Sequence, residues 1–110
     1  MIERDQIRTL DCTVKSNRTL LMDMLQKLQY FQDNEATDRN LEKYYWKLQE
    51  TTNFKISAIM LSVQDKTFTA FCKYATCDPA TEGNFQIRGA NFKELMIKFI
   101  VFARYKKISE

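Results

Sequence analysis

The chain has 110 residues, 28% of them charged and 45% apolar, which is typical of one small folded domain and excludes wholesale disorder. It contains no histidine, so the commonest general base, the commonest zinc ligand and His-dependent triads are all excluded. The net charge of +3 is modest, and the second half of the chain carries the whole excess.

The three cysteines are Cys12, Cys72 and Cys77, an odd number with irregular spacing that suits a reducing compartment. Cys72 and Cys77 make at most half of a metal site, so we expect no metal and no cofactor. Charged residues precede any apolar run, and the longest apolar segment is too short to span a membrane. These features predict an intracellular protein with no membrane partner.

Residues 7–50 contain no Gly and no Pro, and their apolar residues recur at a spacing of three and four. This pattern predicts a long helix, within a coiled-coil arm at residues 1–52. Asn17 falls on the same stripe, where it either fixes the register or lies outside the contact. A single helix cannot bury such a stripe, so we expect a homodimer or heterodimer through this helix. The predicted dimer seam consists of Leu10, Val14, Leu21, Met24, Leu28 and Phe31.

The apolar pattern stops between residues 32 and 40, and two interpretations are open. The helix continues as a solvated stretch, or Asp33, Asn34 or Thr37 caps a second helix. Because no Gly or Pro marks a turn, the sequence favours a continuous helix.

Residues 53–110 predict a small α/β head. Runs at 54–63 and 67–75 alternate as the two strands of a hairpin, and a loop at 77–84 leads to a short third strand at 85–88. In the first run, the alternation places Ile56 on one face and Ile59 and Leu61 on the other. Asn91 and Glu94 have the spacing of a helix cap before the final helix. The predicted fold class is α+β, with a three-stranded antiparallel sheet covered by a C-terminal helix.

The final helix is apolar around most of its circumference. One face should cover the sheet, and the remainder needs a second cover, either within the fold or dimer or from a bound partner. The candidate partner surface consists of Met96, Phe99, Phe102 and Tyr105.

The order of elements resembles the coiled-coil-plus-head subunits of kinetochores, whose heads are RWD-like. The resemblance rests on residues 47–56, where the predicted coiled coil meets the first strand, and on the hairpin at 62–68. It implies a nuclear, chromosome-associated dimer without enzymatic activity, whose heads bind other proteins through an apolar surface.

Three functional hypotheses follow from the sequence. The favoured one is a protein-interaction module that dimerises through the arm and binds proteins through the head. The alternative is nucleic-acid binding by the basic C-terminal half, with Tyr74 and Tyr105 as stacking candidates. An enzyme is disfavoured because Cys72, the one candidate nucleophile, has no histidine base and lies on the predicted core face.

Overall fold

A computed structural model describes residues 2–77 and 80–109, and its N-terminal half contains four short helices. They are α1 (Arg4–Ile7), α2 (Lys15–Gln26), α3 (Gln29–Asp33) and α4 (Asp38–Thr51). The predicted continuous helix is therefore wrong, and with it the extended coiled-coil arm. The alternative, in which Asp33, Asn34 or Thr37 caps a second helix, is confirmed with Thr37 as the cap.

Short polar side chains explain two of the breaks. Between α1 and α2, Asp11 Oδ1 accepts hydrogen bonds from the backbone N–H of Thr13 at 3.0 Å and from its hydroxyl at 2.6 Å. Such local bonds compete with helical backbone pairing. Before α4, Asn34 is extended, and Thr37 Oγ1 accepts a hydrogen bond from the Asn40 N–H at 3.2 Å, which caps the new helix.

The second half of the chain forms the predicted antiparallel sheet. Its strands are β1 (Phe54–Ser62), β2 (Thr67–Cys77) and β3 (Ala80–Gly89), in the order β1-β2-β3. The third strand begins at Ala80, inside the predicted loop, because its register with β2 extends that far. Asp78 and Pro79 of that loop lie outside the described residues.

A bulge at Ser57, directly after Ile56, changes which side chains share a face of β1. Ser57 is the extra residue, and its hydroxyl donates a hydrogen bond to the Phe71 carbonyl at 2.9 Å. An extra residue reverses the alternation that follows it. Ile59 and Leu61 therefore lie on the same face as Ile56, the reverse of the predicted arrangement.

Helix α5 (Phe92–Ala103) is the centre of the molecule, and every residue from 95 to 102 is buried. Helices α1, α2 and α4 pack against it, as do β2 and β3. The predicted start is confirmed, because Asn91 Oδ1 accepts a hydrogen bond from the Glu94 N–H at 2.9 Å. A short helix, α6 (Tyr105–Ser109), follows. An all-apolar helix needs burial on every side, and the N-terminal helices supply what the sheet does not.

One apolar core joins residues from both predicted segments. It contains Leu25 and Leu41 from residues 1–52, and Ile87 and Phe99 from residues 53–110. The N-terminal helices are thus folded onto the sheet and α5, and they do not project from the head.

Candidate functional site

Most of the predicted dimer seam is buried inside the chain. The buried members are Leu21, Met24, Leu28 and Phe31. Leu10 is half-buried against the core, and Val14 is exposed. The Phe31 ring meets the Tyr44 ring edge-on, with centroids 5.4 Å apart. The chain itself covers these four residues, which are therefore not available to a second chain.

The candidate partner surface on the last helix is also internal. Met96, Phe99 and Phe102 are buried, and Tyr105 is half-buried with its hydroxyl donating a hydrogen bond to the Ile2 carbonyl. The sequence left open whether the rest of this helix is covered within the fold or by a partner, and in the structure it is covered within the fold.

Lys98 is a charged side chain buried in the core, where it is only 2% exposed. Its Nζ donates hydrogen bonds to the carbonyls of Leu10 at 2.7 Å and Arg88 at 2.6 Å, and it lies 3.3 Å from Glu94 Oε2. The same carboxylate oxygen accepts a hydrogen bond from the Ala90 N–H at 2.9 Å. Three oxygens thus satisfy the ammonium group, which ties the N-terminal segment to β3 and α5.

The environments of Cys12 and Cys72 disfavour the reactive thiolate. Burial raises the pKa of Cys72 to about 12, although nearby Arg8 acts in the opposite direction. Partial burial also raises the pKa of Cys12, and this outweighs the opposing effect of Lys98. A protonated thiol is a weak nucleophile and a weak metal ligand. The Cys77 side chain lies outside the described part of the chain.

The described residues contain no group of three or more His, Cys, Asp or Glu side chains that could hold a metal ion. Within the same residues, no helix is both long enough and apolar enough to cross a membrane.

Large apolar side chains are exposed at the far end of β1. This group, called the β1 surface below, consists of Ile59, Met60, Leu61 and Val63. Met60 is 61% exposed and Val63 is 82% exposed. Helix α5 packs on β2 and β3, so this end of β1 extends beyond the helical layer. Because of the bulge, Ile59 and Leu61 lie on the helix-facing side and Met60 on the opposite side.

Trp46 extends the β1 surface from the side of α4. Gln49 on α4 accepts a hydrogen bond from the Ile56 N–H at 3.1 Å, which places this flank of the helix beside β1. Trp46 lies three residues before Gln49, on the same flank, and is 54% exposed. Helix and strand together therefore border an open apolar strip.

The two edges of the sheet are protected differently. On β3, the Arg88 N–H donates a hydrogen bond to the Arg8 carbonyl at 2.9 Å, so the N-terminal segment covers part of that edge. On β1, residues 56–63 include no charged side chain. Natural proteins usually protect a free edge with charges, proline or a covering segment. The exposed half of β1 has an apolar edge that carries neither charged residues nor proline.

Sequence reasoning identified this strand and missed its exposure. The unbroken apolar run suggested that both faces of the strand are covered. The missed signal was the absence of charge from residue 56 to residue 63, which fits a covered strand and a binding edge equally well.

Comparison with known proteins found no match. No family model, no curated protein sequence and no solved structure is significantly similar to this chain. Its function is therefore inferred from its own residues and geometry.

Proposed function

We propose that this chain is a non-enzymatic protein-interaction module that forms a homodimer by antiparallel pairing of β1 with β1 of a second copy. The observation that carries the proposal is the exposure of the β1 surface on an edge strand that has no charged side chain at residues 56–63. Strand addition at a free edge satisfies backbone groups, and the side chains on both faces provide the apolar contact.

The size of the apolar strip supports a specific contact. Together with Trp46, the β1 surface exposes on the order of 500 Å² of apolar area, comparable to the largest patch on a typical monomer. A stable interface buries about 800 Å² on each partner. The backbone edge and the flanking polar residues supply the remaining area.

The uncharged run at the end of β1 favours a second copy as the occupant, because an apolar edge is complementary to itself. A two-fold axis near Met60 brings Ile59 of one copy opposite Leu61 of the other, and the bulge places both on the helix-facing side. Apolar side chains therefore meet on both sides of the axis, and residues 56–63 bring no like charges together.

The setting of such a dimer follows from the resemblance described above. An RWD-like head, a nuclear location and a kinetochore or chromosome-associated complex stay predictions. In this proposal the dimer contact moves from the N-terminal helix to β1, and the helical segment becomes part of the head.

Sedimentation velocity tests the homodimer. We expect the unmodified chain to be a dimer at about 10 µM, and the double variant Met60→Lys/Val63→Lys to be a monomer with an unchanged circular dichroism spectrum. Both side chains are exposed, so charge on them should oppose association without disturbing the core.

The matched control is Val14→Lys, which places the same charge on an exposed apolar residue outside the β1 surface. This variant should remain a dimer. A monomeric wild-type chain at about 100 µM would contradict the homodimer, as would a double variant that still dimerises.

A further inference from the structure

The positive charge of the chain is concentrated at one end of the molecule, around three neighbouring cavities of about 770, 520 and 270 Å³. Their lining contains two acidic side chains, Asp5 and Glu82. It contains six basic ones: Arg4, Arg8, Lys55, Lys73, Arg104 and Lys106. Six basic and two acidic side chains give the cavity lining a net charge of +4, against +3 for the whole chain, so the rest of the molecule is close to neutral. Such a distribution creates a local field that attracts anions.

Two arginines form the inner wall of the middle cavity. The Arg4 guanidinium lies 4.3 Å from the centre of the Phe102 ring, and its Nε donates a hydrogen bond to the Phe102 carbonyl at 3.1 Å. The Arg8 Nη1 lies 3.4 Å from the Gln86 carbonyl. The buried Arg8 Nε has no hydrogen-bond acceptor in the described part of the chain; Asp5 Oδ1 is 3.4 Å away, without the geometry of a hydrogen bond. The pair therefore retains donor capacity.

Two lysines face each other on the neighbouring strands. Lys55 on β1 is directly opposite Lys73 on β2, and both side chains line the largest cavity. Like charges in this position destabilise a sheet. An anion bound between them would remove that repulsion.

Tyr74 separates the two larger cavities and offers an open aromatic face. A Cβ added to Gly83 would lie 2.1 Å from the Tyr74 ring, so the ring is held close against the glycine backbone. Its side chain remains partly exposed and lines both cavities, as do Asn53 and Asn84. A fixed aromatic ring beside cationic groups is suited to stacking a nucleobase.

We propose that this end of the molecule binds a nucleotide, either free or within single-stranded nucleic acid. Phosphate oxygens bind Arg4 and Arg8, and the base stacks on Tyr74, which lines the same cavity. Lys55 and Lys73, on the opposite face of the sheet, add to the attraction for phosphate groups. Arginine forks match the geometry of phosphate oxygens, and the amide groups of Asn53 and Asn84 are suited to hydrogen-bonding base edges. This site is separate from the β1 surface and does not depend on dimerisation.

Fluorescence anisotropy with a labelled 12-residue oligo(dT) at about 50 mM salt tests the proposal, with thymidine monophosphate as the competitor. We expect binding that weakens steeply as salt rises, because several phosphates are neutralised. If thymidine monophosphate displaces the oligonucleotide completely and binds with the same affinity, the ligand is a free nucleotide. If the oligonucleotide stays bound in the presence of the monophosphate, the ligand is a single strand.

Two variants locate the site. Lys73→Glu should weaken binding about tenfold while slightly raising the melting temperature, because it replaces the repulsion with Lys55 by an attraction. Tyr74→Leu should weaken binding about fivefold through lost stacking. Lys15→Glu makes the same charge change at an exposed lysine outside the three cavities, and it should alter affinity less than about threefold.

Three results would overturn the proposal. The first is that neither the oligonucleotide nor the monophosphate binds at about 100 µM protein. The second is that Lys73→Glu and Lys15→Glu weaken oligonucleotide binding equally. The third is that a ten-residue polyglutamate binds as tightly as the oligonucleotide. The last result would assign the cavities to an acidic peptide.

Discussion

Two regions of this molecule enclose cationic side chains and use them differently. Lys98 meets two carbonyl oxygens and one carboxylate oxygen, and its hydrogen-bonding capacity is used within the fold. Near the C-terminal end of α5, Arg4 and Arg8 each meet one backbone carbonyl and lie beside the Phe102 ring and a cavity, and Arg8 is also 3.4 Å from Asp5 Oδ1. The first cation stabilises the fold, whereas the arginine pair keeps donors that a ligand can use.

The largest expected effect is on Lys98. Lys98→Met leaves the Glu94 carboxylate and two carbonyls buried without a cation, and it should cost about 3–5 kcal/mol in free energy of unfolding. Urea denaturation measures the loss. Lys93→Met is the control, because Lys93 on the same helix makes an exposed ion pair with Asp38 at 3.1 Å. That variant should cost at most about 1 kcal/mol, and equal costs would remove the contrast.

An effect of intermediate size is expected on the pH dependence of stability. The titrating group is the Cys72 thiol, whose pKa is raised by burial and, to a smaller extent, lowered by nearby Arg8. The pKa of this thiol is about 12 in the folded chain, against an ordinary value of 9.0. Above pH 9 the unfolded chain loses a proton that the folded chain keeps, so stability falls as pH rises. The slope should reach about 1.4 kcal/mol per pH unit between pH 9 and 12. Denaturation at several pH values measures it, and Cys72→Ala should remove this part of the slope. An unchanged slope in that variant would contradict the burial effect.

The smallest expected effect on stability is at Arg4. Arg4→Met removes one hydrogen bond and the contact with the Phe102 ring, and it should cost only about 1 kcal/mol in urea denaturation. The same variant should weaken oligonucleotide binding about tenfold, since a phosphate donor is lost. If Arg4→Met instead lost as much stability as Lys98→Met and bound the oligonucleotide unchanged, Arg4 would have a structural role like that of Lys98.

Local chemistry made the second half of the chain predictable. The apolar alternation gave the β1–β2 hairpin, and Asn91 with Glu94 located the start of α5. These features depend on neighbouring residues, so the sequence carries them directly.

Long-range packing explains what the sequence could not predict. A stripe such as Leu21, Met24 and Leu28 has the same spacing whether it faces another chain or α5 of its own chain. The break at Thr37 depended on a cap that competed with an otherwise favourable helix. The bulge at Ser57 reversed a face of β1, and no residue type marks such an insertion. Arg4 and Arg8 lie together on one short helical segment, and only long-range folding brings them against Phe102 and Gln86.

The central position of α5 has a consequence for biosynthesis. This helix follows nearly every element that packs against it, so a ribosome must complete residue 103 before the core can close. Until then, the growing polypeptide exposes the stripes that α5 later buries, together with the apolar end of β1. Such intermediates are prone to aggregate. The core should therefore close only after α5 has been synthesised, and chaperones that bind nascent chains should matter most before that point.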